Sequence, residues 1–168
     1  TVAAAAEFAK NYNFGDVLGQ NNAGWMIKAD AKLNVNTSAA DITPRLQYVH
    51  AEKGFVAMGN FMPGLLFSNE FPYFHRTSTG RRLFNAGIDV RPAMLDKWTF
   101  SFDYFAFSLS NNANPHWFGN EFDLMAKYAF NEYVELHAGA GCVTNAVDAF
   151  NYHNKTPYTG QLGMIIKF

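Results

Sequence analysis

The sequence predicts an all-β chain: an antiparallel up-and-down transmembrane β-barrel, with about eight strands in a single domain over residues 1–168. Three observations carry that expectation. Successive segments alternate apolar and charged residues with a period of two, the repeat of a strand whose two faces meet different surroundings. Aromatic residues make up 17% of the chain and charged residues only 16%, yet no apolar run approaches the roughly 20 residues of a membrane helix. The connections between segments also alternate between short and long.

Taken in order, residues 2–13 put Ala4, Ala6, Phe8 and Tyr12 on one parity and Glu7, Asn11 and Asn13 on the other. The alanines alone would suit a helix, so it is the alternation that makes this a strand. A Gly/Asn-rich connection follows. Residues 24–35 set Trp25, Ile27, Ala29, Ala31, Leu33 and Val35 against Met26, Lys28, Asp30, Lys32 and Asn34. Charges interleaved this way exclude a fully buried strand and fit a wall between lipid and water. A short link at 36–40 leads to Ile42, Pro44, Leu46 and Tyr48 against Thr43, Arg45, Gln47 and Val49. Pro44 has no ladder donor and belongs at a strand end or a bulge.

Residues 51–79 form a long extracellular loop rich in Gly, Phe, Met and Pro, either folded into the barrel or capping it. Residues 80–92 then place Phe84, Ala86, Ile88 and Val90 opposite Arg81, Asn85, Gly87, Asp89 and Arg91. Beyond a short turn, Trp98, Phe100, Phe102, Tyr104 and Ala106 oppose Thr99, Ser101, Asp103, Phe105 and Phe107. After a polar loop, Phe122, Leu124, Ala126, Tyr128 and Phe130 oppose Glu121, Asp123, Met125 and Lys127. Asn131-Glu132 turns the chain into Val134, Leu136, Ala138, Ala140 and Cys142, which oppose Glu135, His137, Gly139 and Gly141. The final strand carries Tyr158, Leu162, Met164, Ile166 and Phe168 against Thr159, Gln161, Gly163, Ile165 and Lys167.

Each segment is close to the nine to eleven residues, roughly, of a tilted membrane strand. Connections near 36–40, 93–97 and 131–132 are short, and those near 15–23, 51–79, 110–117 and 144–157 are long. Counted back from a periplasmic C-terminus, every short turn falls on the periplasmic side, as in outer-membrane barrels. Localisation in the bacterial outer membrane is the corresponding expectation.

Other function classes find little support. A formal net charge of −1 offers no footprint for nucleic acid. The single Cys142 excludes an intramolecular disulfide and a cysteine metal cluster. The histidines His50, His75, His116, His137 and His153 have no metal-ligand spacing, so neither metal nor cofactor is expected. Ser101 and Asp103 with His137 could be imagined as a hydrolytic set, but nothing in the sequence selects them, and the chain is not expected to be an enzyme. Asn154-Lys155-Thr156 matches a glycosylation acceptor that means little in such a membrane. A chain beginning at Thr1, with no signal peptide visible, is expected to be processed or partial.

Two resemblances add to this. The alternating segment ending at Phe168 resembles the C-terminal signal strand of bacterial outer-membrane barrels, which implies recognition by the barrel assembly machinery. Gly24-Trp25 through Leu33, Arg45 through His50, Phe118-Gly119-Asn120-Glu121-Phe122-Asp123-Leu124 through Tyr128, and Val134 through Gly141 resemble the C-terminal half of the alginate-export family of outer-membrane porins. That resemblance covers about two-thirds of the chain and implies passive transport; the family's barrels have many more strands, so the chain is either the C-terminal part of a larger barrel, completed by further strands or partner subunits, or a smaller relative. Alginate selectivity rests on a strongly basic lumen in that family. Here the inward parity is mixed, which argues against transport of alginate itself.

The pore-lining candidates are therefore Lys28, Asp30, Lys32, Arg45, Arg81, Asp89, Arg91, Asp103, Glu121, Asp123, Lys127, Glu135 and Lys167. The lipid-facing candidates are Trp25, Phe100, Phe102, Tyr104, Phe122, Tyr128 and Phe168. The function expected is a porin passing small or anionic and polar solutes through a charged lumen. Two alternatives stay open: a small non-transporting outer-membrane barrel that anchors a partner complex, and a soluble ligand-binding barrel with its faces reversed.

Overall fold

A computed structural model of the chain describes residues 1–11, 24–52, 81–109, 117–144 and 156–167. The strands are β1 (Val2–Asn11), β2 (Gly24–Leu33), β3 (Val35–Asn36), β4 (Ala40–Ala51), β5 (Arg81–Pro92), β6 (Trp98–Leu109), β7 (Trp117–Ala129), β8 (Val134–Thr144) and β9 (Tyr158–Ile166). They form one antiparallel sheet in the order β1-β2-β4-β5-β6-β7-β8-β9, with β3 pairing β4. Each long strand thus lies beside its neighbour in sequence, and the sheet runs up and down.

The expected strand count is refined by β3. The β2 ladder on β4 ends at Lys32↔Arg45, and the β3 ladder resumes at Val35↔Ile42. Pro44 falls in the gap, where a residue without an N–H removes a ladder bond. Asn34 stands at the break, accepting a hydrogen bond on its side-chain oxygen from Thr43 Oγ1 at 3.1 Å. β2 and β3 are in effect one interrupted strand. Along β6 and β7 the register shifts after Phe107, which pairs with Gly119, while Ser108 pairs with Trp117. Gly119 has a φ of 142°, a backbone conformation that side chains disfavour, and glycine there lets the strand take up the extra residue.

The short turns are locally specified. Thr37 Oγ1 donates to the carbonyl of Ala40 at 2.8 Å and accepts from its N–H at 3.0 Å. A single 3-10 turn, Ala93–Leu95, joins β5 to β6, and Arg91 Nε donates to the Asp96 carbonyl at 2.6 Å. Asn131 Oδ1 accepts from the N–H groups of Tyr133 and Val134 at 2.9 and 2.8 Å, the side-chain-to-backbone pattern of an Asx turn. All three turns, together with Thr1 and Lys167, lie at one end of the sheet.

One expectation is corrected: the sheet is not a closed barrel. Among the described residues β1 pairs only with β2 and β9 only with β8. Alternation reports which face a residue takes. Closure depends on whether the two edge strands meet, and a period of two does not encode that. Of the long connections expected at 15–23, 51–79, 110–117 and 144–157, Ala51, Trp117 and Thr144 belong to β4, β7 and β8; 15–23, 53–79, 110–116 and 145–155, and Phe168, lie outside the described residues.

Candidate functional site on the charged face

Register divides the strand residues into two faces. Lys28, Asp30, Lys32, Arg45, Asp89, Arg91, Asp103, Glu121, Asp123, Lys127 and Glu135 share one face, with Glu7 and Asp41, and Lys167 follows β9 on the same parity. Arg81 occupies the first register position of β5, opposite Ala51 and Leu109. Trp25, Phe100, Phe102, Tyr104, Phe122 and Tyr128 share the other face.

The charged face is the more buried of the two. Asn85 and Asp123 are each 6% exposed and Glu121 is fully buried, beside Leu83, Phe105, Phe107 and Val143. On the opposite face of central strands, Leu46 is 53% exposed, Phe102 41% and Leu124 61%. That is the reverse of a water-soluble barrel, whose apolar side chains point inward.

Three successive levels of the charged face carry its chemistry. The first aligns Asp30, Gln47, Asn85, Phe105, Glu121 and Val143. The second aligns Lys32, Arg45, Gly87, Asp103, Asp123 and Gly141. The third aligns Thr43, Asp89, Ser101, Met125 and Gly139.

Arg45 is the centre of this array. Its Nη2 lies 3.0 Å from Asp89 Oδ1 and 3.0 Å from Asp103 Oδ2. The reach to Asp103 crosses β5 at Gly87, where a methyl group would overlap Asp103 Oδ1 and lie 3.1 Å from Arg45 Nη2. A residue with no side chain therefore lets two strands that are not neighbours share an ion pair. Asn85 Nδ2 donates to Asp103 Oδ1 at 3.1 Å and to the Tyr104 carbonyl at 3.2 Å. Ser101 Oγ donates to Asp89 Oδ1 at 2.6 Å. On β2, Asp30 accepts from Gln47 Nε2 at 2.7 Å and pairs with Lys28 at 3.2 Å.

Two register pairs oppose like charges, Lys32 with Arg45 and Asp103 with Asp123, an arrangement that costs stability in a sheet. Arg45 turns away from Lys32 toward its two carboxylates. A cavity of about 330 Å³ opens between Arg45, Asn85, Asp89, Asp103, Asp123 and Lys127. A second, of about 370 Å³, lies against the alanines of β1 and is bounded by Asp30, Lys32, Arg45 and Gln47.

The imagined hydrolytic set does not assemble. The Ser101 hydroxyl is engaged by Asp89, and His137 lies two strands away, over Gly163, where a methyl group would overlap its ring. Sequence alone did not single out Gln47, Asn85 and Gly87 as partners of the charges. Their parity marked the face, and only the register supplies the contacts.

On the apolar face no charged residue interrupts the run from Ala40 to Tyr48 on β4, Phe84 to Pro92 on β5, Trp98 to Ala106 on β6, or Val134 to Cys142 on β8. Lys10, His50 and Arg82 stand beyond it, at the long-connection end. Aromatic pairs mark both limits: Trp25 stacks on His50 at 5.0 Å, and Trp98 meets Tyr128 at 5.0 Å. No protein-family model matches the chain, and no curated protein matches it.

Proposed function

We propose that this sheet is the wall of a bacterial outer-membrane β-barrel through which small polar solutes diffuse passively, with lipid against the apolar face and water against the charged one. The observation that carries it is the uncharged outward run. Five outward positions cover eight residue steps, about 27 Å along a strand at about 3.4 Å per residue. At a tilt near 40° that is about 20 Å of height, close to the roughly 25 Å apolar band of outer-membrane barrels. Aromatic residues at its two limits suit the membrane interfaces. The soluble alternative would bury these side chains and expose the charges, and the burial runs the other way.

In hydrocarbon every backbone polar group needs a partner. The free edges of β1 and β9 are therefore completed by further strands, from the same polypeptide or from a partner subunit. Kinship with alginate-export porins belongs to this proposal at the level of wall architecture, and delivery by the assembly machinery through the C-terminal strand belongs with it. The charged-face residues centred on Arg45 would then line the water path.

The test is reconstitution of the detergent-purified protein into planar bilayers, with brominated lipids in parallel vesicles to quench Trp98. Stepwise conductance with strong quenching supports a porin. Quenching without conductance leaves an anchoring wall. A protein that leaves the membrane without detergent and shows neither signal refutes membrane insertion.

A further inference from the structure

The two limits of the outward, apolar face differ in kind. Among the described strand residues, the basic side chains on that face are Lys10, His50 and Arg82, and all three stand at the long-connection end. Lys28, Lys32, Arg45, Arg91 and Lys127 belong to the charged face. At the turn end the outward face closes on Leu33, Val90, Trp98, Tyr128 and Ile166, with no basic side chain among them.

Three of the outward side chains at the long-connection end are linked. His50 and Arg82 are register partners on β4 and β5. Arg82 Nε donates to His50 Nδ1 at 3.3 Å, so the imidazole is neutral and carries its proton at Nε2. Trp25, on β2, stacks on that ring with centroids 5.0 Å apart and planes 28° apart. The indole thus orients the imidazole, and the imidazole orients the guanidinium, which is exposed. Nε is used by His50, and the two Nη groups form a planar fork of further donors. The level of His50 and Arg82 also holds Phe8, Ile27 and Ser108 and no carboxylate. Glu52 follows one level farther out, where its N–H donates to the Trp25 carbonyl at 2.8 Å. Lys10 stands opposite Trp25 and has a partner of its own; the cluster is complete without it.

Resting on the membrane wall proposed above, we propose that Trp25, His50 and Arg82 bind the phosphate of an anionic lipid headgroup in the leaflet at the long-connection end. Solutes pass on the opposite face, so the anion that meets an outward guanidinium at the edge of the apolar band is a headgroup phosphate. The Arg82 fork matches two phosphate oxygens, and His50 Nε2–H supplies a third donor. Trp25 suits the boundary between hydrocarbon and headgroups. A single Arg near a lipid surface favours an anionic headgroup by about threefold to tenfold, and salt weakens that preference. The wall would then recruit phosphate-bearing lipid on one side of the membrane and none by this means on the other.

The experiment is fluorescence quenching in vesicles by acyl-brominated lipids, on the full chain with Trp98→Phe and Trp117→Phe so that Trp25 is its sole tryptophan. Brominated phosphatidic acid and brominated phosphatidylcholine are compared at equal mole fraction in a phosphatidylcholine host. Phosphatidic acid should be enriched about threefold to tenfold around Trp25. Arg82→Gln should bring that enrichment to about twofold or less. Lys127→Gln, which removes a cation from the charged face, should leave it unchanged. Arg82 is exposed at a strand end, so its replacement should leave the fold intact, which circular dichroism checks. Equal quenching by the two lipids overturns the lipid site while leaving membrane insertion intact. So does an enrichment that Arg82→Gln does not lower, or that Lys127→Gln lowers as much. Quenching by neither lipid overturns insertion, and the lipid site with it.

Discussion

Gly87→Ala should be costly out of proportion to its size. The added methyl group would overlap Asp103 Oδ1 and crowd Arg45 Nη2, so the carboxylate must move. Two contacts go with it, the Arg45 ion pair at 3.0 Å and the Asn85 hydrogen bond at 3.1 Å. Arg45 is 34% exposed and Asp103 17%, so the ion pair merits about 1 kcal/mol rather than a buried value. The hydrogen bond contributes about 1 kcal/mol more. Against this, replacing glycine by alanine restricts the unfolded chain and returns about 0.5 kcal/mol. The net loss is about 1.5 kcal/mol. Gly160→Ala is the control, because there the nearest atom to a new methyl group is the Gly139 carbonyl oxygen at 3.8 Å. It should be neutral or slightly stabilising. Urea unfolding in lipid vesicles measures both, and in an Asp103→Ala background the Gly87→Ala penalty should vanish. Equal stabilities for the two glycine variants, within about 0.5 kcal/mol, would refute the idea that Gly87 clears the path between Arg45 and Asp103.

Neighbouring positions on β7 should respond in opposite ways to the same residue. Leu124→Arg puts a charge in the apolar band and should cost about 2–4 kcal/mol in vesicles, whereas Met125→Arg, on the charged face, should cost under about 1 kcal/mol; comparable losses in the same unfolding assay would contradict the assignment of faces. Cys142 lies on the apolar face, so a water-soluble maleimide should label it at least about tenfold more slowly in vesicles than in urea. A Gln161→Cys, Cys142→Ser protein, with its thiol on the charged face, should label readily in vesicles if that face meets water. Gly163→Ala should displace the His137 ring at a cost of about 0.5–1 kcal/mol, since the imidazole can swing aside. Movement of the His137 resonances in NMR spectra would report it, and unchanged resonances would contradict the close approach.

Face and strand position were legible because both follow from local pattern. Trp98 to Ala106 reads as one apolar parity without knowledge of any partner, and the β6 boundary falls at Trp98 as expected. Pro44 was expected at a strand end or a bulge, yet it lies inside β4 opposite Ile88, and the interruption falls on the facing strand, between β2 and β3. The Arg45 cluster was not legible. Arg45 and Asp103 are 58 residues apart in sequence, and their meeting depends on the register of β4 on β5 and of β5 on β6. A slip of two residues would keep every face assignment and dissolve the cluster. Gly87 illustrates the same gap, since a glycine on a charged parity looks like a weak strand position until the ion pair above it is known. Closure was illegible for a related reason: it concerns the two edge strands, β1 and β9, far apart in sequence, and no alternation along either strand carries information about the other.

The strictly neighbouring order of the strands has a consequence for how such a wall can change. No strand's pairing depends on a distant segment, so a hairpin is a self-contained unit of the sheet. Inserting or removing two adjacent strands with their short turn leaves every other register intact and keeps the remaining strands alternating in direction. The circumference can therefore grow or shrink by pairs without redesign of the existing strands. The cluster spanning β4, β5 and β6 is the exception, because Arg45 and Asp103 reach past the strand between them. An insertion there would separate charges that now offset each other, which makes this the least extendable part of the wall.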